Sequence, residues 1–355
     1  MSKTNGRVER TAGDRVGAGA SPARRAVLVV GGTGFIGSHV VGRLGARGVA
    51  VRSASSSGCW RWGAAPEGIE WASLDLRDPA ERDRLERLVR GSSAVVNLAG
   101  ILYRPGISEK HLRKLHVGAV RHLVSAARSA AQDGPVRVVH VSTTGVLGPT
   151  GPEPLDEDAV LHPTTPYEAT KLEGEREALA GRGDGVEVVV VRPGLVYGPR
   201  DLHLLPLYRS IDRGLFRTVA GGRARWQPIH VRDLSRGIVA AIEQDGIDGE
   251  VFHLAGAEVV ELADLAGRIA SLLGTRIRRP GLPFGVAMAA GAALELGLRP
   301  FGIEPPLSRT RVRTLTEDRV YSIDRARRKL GFEPETILDD GLAETVDWYR
   351  EHGYL

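Results

Sequence analysis

The sequence predicts an α/β fold in which a doubly wound parallel sheet is followed by a smaller C-terminal domain. Three observations carry this. From Ala26 to about residue 198, short β-branched runs alternate with longer helical stretches. A glycine-rich turn, Gly31-Gly32-Thr33-Gly34-Phe35-Ile36-Gly37, joins the first run to the first helix. After Pro199 the alternation gives way to a stretch interrupted by Pro and Gly. Continuous apolar runs are the mark of strands buried on both faces, and the helices between them supply the crossovers that parallel pairing requires.

Taken in order, the predicted strands are AVLVV (26–30), VAVRS (49–53), SAVVNLAG (93–100), VRVVHVS (136–142) and VEVVVVRP (186–193). Helices are predicted over 34–47, 79–89, 109–131 and 166–179, with a closing helix over 339–351. The helix at 166 carries its own start signal: Thr165 as cap, Pro166 in the first position and Glu168 three residues after the cap form a capping box. Residues 1–25 have little apolar content and no periodicity, which predicts a disordered tail without a signal peptide. The predicted domains are 26–198 and 199–355, with 228–256 returning to the first sheet.

Composition narrows the function. With 355 residues, 42% apolar content and no run near the roughly 18 apolar residues of a bilayer span, no membrane-spanning helix is expected. The formal charge of +5 rests on arginines interleaved with acids along the chain, which argues against a nucleic-acid surface. Cys59 is the sole cysteine, and none of the ten histidines falls in a ligand spacing such as His-Glu-x-x-His, so neither a disulfide nor a metal site is expected. A reducing cytoplasm and a small-molecule substrate are the expectation.

In a strand–turn–helix setting, the glycines at 31, 34 and 37 let the chain turn tightly and let backbone N–H groups approach a pyrophosphate. Gly31, Thr33, Gly34, Phe35, Ile36 and Gly37 are therefore candidate dinucleotide ligands on a Rossmann-type domain. A carboxylate closing the second strand would select NAD; here the strand offers Arg52, Ser55 and Ser56, which tilts the reading to NADP. Asp75, after IEWASLDL, is a candidate for the adenine edge.

Tyr167 and Lys171 lie four apart on one helix face. A cation beside a phenol favours phenolate, which predicts a lowered Tyr167 pKa and a usable acid or base. Only five lysines stand against 43 arginines, so a lysine at 171 is a marked choice of a compact ammonium. Ser142-Thr143-Thr144 ends a strand at the carboxyl edge where such sheets bind ligands. Thr144 is favoured as the hydroxyl that orients a substrate oxygen, with Ser142 second.

These residues together resemble the extended short-chain dehydrogenase/reductase superfamily, which includes sugar-nucleotide epimerases and dehydratases, dihydroflavonol-type reductases and hydroxysteroid dehydrogenases. The likeness runs from Ala26 to the C-terminus through GGTGFIG, Asp75-Leu76, Asn97-Leu98-Ala99-Gly100, Ser142-Thr143-Thr144, Tyr167 to Lys171, RPGLVYGPR (192–200), PIHVRDL (228–234), RKLGFEP and LDDGLAETVDWYR. It implies a Rossmann domain, bound NAD or NADP, Tyr167 as acid/base with Lys171 as partner, and Thr144 as orienting hydroxyl. It also implies cofactor contacts from Leu76, Leu98, Ala99, Gly100, Tyr167, Lys171, Pro193 and Val196, a C-terminal substrate-binding domain, and a homodimer paired through helices such as 109–131 and 166–179.

Departures from the pattern bear on substrate. His116 stands where an asparagine is common and is read as packing. Trp226-Gln227-Pro228 replaces an Arg-Asp-Phe-like triplet, and Gly194 replaces a frequent asparagine, which weakens a sugar-nucleotide substrate unless Arg223 or Arg225 compensates. The nearly uncharged segment 282–298 resembles reductase and sterol-dehydrogenase-like members; it is read as a core or dimer helix and implies a more apolar substrate. The first reading is an oxidoreductase moving hydride between nicotinamide and a secondary alcohol or ketone. The second is a sugar-nucleotide epimerase or dehydratase, and the third a non-catalytic dinucleotide-binding subunit or sensor.

Overall fold

The computed structural model describes residues 25–101, 107–278, 280–298, 301, 305 and 307–355. The tail read at 1–25 therefore lies, but for Arg25, outside the described residues. Strands β1 (Ala26–Val30), β2 (Val51–Ser55), β3 (Ile69–Ser73), β4 (Ser92–Asn97), β5 (Val136–Val141) and β6 (Val186–Pro193) run in the order 3-2-1-4-5-6. A later strand is added beyond β6, and every pairing is parallel. The order reverses between β1 and β4, and the carboxyl edge there is where a doubly wound sheet opens its ligand crevice.

Helices α1 (Phe35–Ala46), α2 (Arg82–Val89), α3 (Glu109–Arg113), α4 (Ala119–Ala130) and α5 (Pro166–Ala180) supply crossovers. The period-2 alternation of β1 divides the core: Val27 and Val29 face one side with Val40, Val41 and Leu44 of α1, while Leu28 and Val30 face Leu85, Leu88 and Leu123 of α2 and α4 on the other. Each such side chain contributes roughly 1.5–3 kcal/mol by leaving water. Val49, expected in the second strand, instead closes α1 by donating to the Leu44 carbonyl, so β2 starts two residues later. β3 was not expected as a strand; it pairs on one side only and alternates with polar residues, as an edge strand does.

Beyond β6 come β7 (Leu195–Tyr197), α6 (Leu205–Asp212), β8 (Arg225–Trp226), β9 (Pro228–His230), α7 (Val231–Glu243), β10 (Val251–Leu254) and β11 (Val260–Glu261). Of the segment 228–256, only β10 joins the main sheet, alongside β6; β9 pairs with β7 in a separate two-stranded ladder, and α7 packs on α1. The rest comprises α8 (Leu262–Leu272), α9 (Phe284–Leu298), α10 (Arg309–Thr314), α11 (Asp324–Leu330) and α12 (Leu338–Glu351). A second core forms where α6, α8 and α12 meet through Tyr208, Ile269, Leu342, Val346 and Tyr349.

The expected helix over 109–131 is broken by a π-helical turn at Lys114–Gly118 between α3 and α4. Insertions of this kind re-aim the carbonyls around them. Here the His116 carbonyl oxygen sits against Gly174 of α5, where a Cβ would lie 2.0 Å away. Gly174→Ala is accordingly expected to push α5 off the π turn and to lower stability by about 1–3 kcal/mol, read from the urea midpoint.

Candidate active site

The glycine turn is built for an anion. Gly31 holds φ +84, and a Cβ there would meet the Leu98 backbone at 2.9 Å; a Cβ on Gly37 would meet the Gly31 carbonyl oxygen at 2.2 Å. The Gly34 amide donates to the Gly31 oxygen, and α1 begins with no side-chain cap and no acid in its first turn. Its first N–H groups thus stay available at the positive end of the helix dipole. Ser142 Oγ, at the end of β5 in the same carboxyl edge, is buried without a protein partner. The residues present fit a dinucleotide.

At the end of β2 the hydroxyls of Thr33, Ser55 and Ser57 lie 2.9–3.2 Å from one another, while Ser56 is exposed. Arg52 does not reach this cluster. It lies in the first half of β2, bound to Glu70 and to the Leu88 and Arg90 carbonyls. Asp75 is paired with Arg77, whose hydrogen bonds hold its carboxyl at about 2, and Leu76 is buried beside it. Leu98, Ala99 and Gly100 follow β4 as a loop against Gly31, with the Ala99 amide tied to Asn97 Oδ1.

The capping box forms as the residues dictate: Thr165 accepts from the Glu168 amide at 3.2 Å, and Glu168 accepts from the Thr165 amide at 2.9 Å. This fixes the first turn of α5 and with it Tyr167. One turn on, buried Lys171 donates from Nζ to the Val141 carbonyl at 2.7 Å, which brings the ammonium to the end of β5. Burial lowers Lys171 to about 8 and raises Tyr167 to about 12. The expected lowering of the phenol is therefore corrected: burial and then the Glu168 charge raise it, and the Lys171 proton is directed at a backbone oxygen. Tyr167 is a neutral phenol in this state.

His116 lies edge-on to Tyr167, ring centroids 5.5 Å apart. Its Nε2 accepts from the Ile101 amide, so Nδ1 carries the proton and donates to Thr170 Oγ1, which in turn donates to the Tyr167 carbonyl. Burial first, then the Lys171 charge, holds this ring at about 3. It packs and stays neutral.

Among the strand-end hydroxyls the structure separates Thr144 from Thr143. Thr144 is buried, and its proton is spent on the Pro193 carbonyl at 3.1 Å, so it has none to donate to a substrate oxygen. Thr143 is half-buried and accepts from the Gly145 amide, which leaves its own proton free. Thr143 is a candidate hydroxyl that sequence reasoning passed over. The signal was present in Thr143-Thr144-Gly145, since a Ser or Thr two residues before a turn amide often caps it.

On the substrate side, Trp226 Nε1 donates to the Glu317 carbonyl, and Gln227 bridges the Gly256 carbonyl and the Tyr321 amide. Arg225 is committed to Asp318 and to the Gly151 and Pro152 carbonyls. Arg223 is exposed. A Cβ on Gly194 would already sit 3.1 Å from the Gln227 carbonyl oxygen, so no larger side chain fits without movement. Helix α9 turns Ala287, Gly291 and Glu295 inward, with Glu295 bound to Arg309 at the start of α10, and leaves Phe284, Val286 and Leu296 exposed. Among the described residues there is no metal-ligating cluster and no helix long and apolar enough to cross a membrane.

Residues 27–255 match the NAD dependent epimerase/dehydratase family. The chain belongs to that family. As a member it is an NAD(P)-dependent enzyme of the extended short-chain dehydrogenase/reductase type. It is 31% identical to a 4-hydroxy-2-methyl-3-oxo-4-farnesyl-3,4-dihydroquinoline-1-oxide ketoreductase of Stigmatella aurantiaca, over 89% of this chain and 94% of the relative. It is 30% identical to a dTDP-glucose 4,6-dehydratase of Streptomyces niveus, over 92% and 93%. A solved structure of MoeE5 in complex with UDP-glucuronic acid and NAD superposes with a TM-score of 0.71 at 25% identity, covering 92% of this chain and 99% of that one.

This epimerase/dehydratase-family chain buries several neutral histidines. Desolvation holds His39 and His230 at about 4 and His116 and His253 at about 3, each below the ordinary 6.5. Below pH 6.5 the unfolded chain binds protons that the folded chain refuses, so stability is full above 6.5 and falls toward pH 4. Asp201, raised by burial to about 6, acts in the opposite sense between 6 and 3.8. His122 and His140 are lowered as well, and Glu157 is raised by burial, so six histidines stand against two carboxyls and the melting temperature is expected to drop from pH 6.5 to 4; a flat profile would show that these rings titrate normally.

Proposed function

We propose that this enzyme is a reductase that uses NADP to interconvert a ketone and a secondary alcohol on a small, apolar molecule. The observation that carries the reading is the substrate wall at 225–228. A sugar nucleotide brings a diphosphate, and Arg225 there is already neutralised by Asp318 while Trp226 and Gln227 bond to backbone. The farnesylated ketone reduced by the Stigmatella relative agrees with this chemistry.

The dinucleotide, when bound, supplies the hydride chemistry. Tyr167, a neutral phenol in this state, gives its proton to the ketone oxygen as the carbonyl carbon is reduced, so the substrate gains one hydride and one proton. The Lys171 ammonium, held at the end of β5, stabilises the phenolate that remains. Thr143 donates its free proton to the same oxygen and fixes its position. The lean to NADP rests on the end of β2, which presents three hydroxyls and no carboxylate.

Exposed Arg223 favours a second reading, a sugar-nucleotide epimerase or dehydratase, in which that side chain would meet the diphosphate. Calorimetric titration with UDP-glucose and dTDP-glucose in the presence of dinucleotide separates the two: no heat is expected, and binding by either would promote the second. In ketone reduction followed by loss of reduced nicotinamide, Tyr167→Phe is expected to lower kcat by about 10²–10⁴ with dinucleotide affinity kept. Thr143→Val should lower kcat as well, whereas Thr144→Val should leave turnover in place and cost about 1 kcal/mol of stability. Inverted behaviour of the two threonines would return the role to Thr144.

A further inference from the structure

Beside the glycine turn, the chain holds two arginines that the fold does not use. The segment after β2 carries Trp60, Arg61 and Trp62. Trp62 Nε1 donates to the Thr33 carbonyl at 2.9 Å, which lays the indole against the turn, and Trp60 packs on Trp71 of β3 with ring centroids 5.2 Å apart. The loop after β7 brings Arg200 to the same place. Its guanidinium carbon sits 5.1 Å from the Trp60 ring and 6.0 Å from the Trp62 ring, while that of Arg61 sits 5.0 Å from the Trp62 ring.

Neither guanidinium has an ion pair or a side-chain hydrogen bond among the described residues, although Arg52 and Arg77 nearby are both paired with acids. Arg200 also holds φ 74, in the left-handed region that disfavours any residue with a Cβ. The peptide before it is fixed by a hydrogen bond between the Pro199 carbonyl and His39 Nε2 on α1. Two guanidiniums without acid partners thus lie against one indole, one of them on a strained backbone, and an anion could join them. The hydroxyls of Thr33, Ser55 and Ser57 cluster at the same strand end. Guanidinium forks and hydroxyls together make a phosphate-monoester site, and the end of β2 is where the adenosine ribose of a dinucleotide lies.

We infer that Arg200 and Arg61, held by Trp60 and Trp62, bind the phosphate monoester that distinguishes NADP from NAD. This rests on the dinucleotide reading above and adds specificity residues to it, one of them from outside the segment that follows β2. The strap also touches the C-terminal domain, since Trp62 meets Trp348 of α12 at 6.0 Å.

The test is equilibrium binding, read by calorimetry and by quenching of tryptophan fluorescence, with NADPH, NADH and 2′,5′-ADP as probes. Arg200→Gly removes the guanidinium and suits the left-handed backbone, so the fold is retained; Arg61→Ala is a second variant at an exposed position. Arg200→Gly is expected to weaken NADPH and 2′,5′-ADP by roughly tenfold or more and to leave NADH within about twofold; Arg61→Ala shifts the same ligands in the same direction. Unchanged NADPH affinity in both variants overturns the inference, as does an equal loss for NADH and NADPH, which would place Arg200 on the pyrophosphate. If the parent enzyme binds no dinucleotide at all, the reductase reading falls together with it.

Discussion

The hydrogen bond from the Lys171 ammonium to the Val141 carbonyl joins the helix that carries the phenol to the strand end that carries the hydroxyls. Its worth lies in location. A buried cation loses its hydration, and a backbone oxygen at the carboxyl end of a central strand replaces part of what was lost. The capping box fixes the start of α5, Gly174 lets α5 close on the π turn, and the parallel pairing of β5 with β4 and β6 fixes Val141. The relation between phenol, ammonium and the Ser142–Thr144 turn follows from those three contacts.

Other buried charges serve the same placement. Glu175, one turn beyond Lys171, meets Arg192 of β6 at 2.5 Å with both groups almost wholly buried, so α5 is pinned to the sheet at a second point. Arg319, on the returning C-terminal segment, reaches Glu168 of the capping box, and Gln227 binds the Tyr321 amide. The C-terminal chain is thereby laid across the entrance to α5. Removing one member of such a pair leaves an uncompensated charge, which is costly, so these polar contacts hold the site in a single arrangement.

Much of this was legible in the residues, and the failures have specific causes. The glycine turn, the capping box and the Tyr167–Lys171 spacing are local patterns, set within a few residues, and the structure reproduces them. β3 was missed because an edge strand buries only one face and so lacks a continuous apolar run; of the segment 228–256 expected to return to the first sheet only β10 does, because β9 finds a different partner in β7. Arg52 was placed at the ribose because sequence gives proximity to a strand end and not the direction of a side chain; Glu70 on the neighbouring strand draws it the other way. Thr144 and Thr143 are indistinguishable in the sequence, and only the fold brings a long-range acceptor, the Pro193 carbonyl, to the hydroxyl of Thr144.

By itself the sequence determined the fold class, the dinucleotide turn and the helix bearing Tyr167 and Lys171, because each depends on periodicity, glycine sterics or capping within one segment. Tertiary structure decided what depends on distant neighbours. Burial set the protonation of Tyr167 and His116, cross-strand pairing withdrew Arg52, and Arg225 was engaged by Asp318, 93 residues further along the chain. The approach of Arg200 to Trp60 and Trp62 belongs to the same class: a strand end and a loop more than a hundred residues later meet only because the sheet places β2 and β7 around one helix, α1.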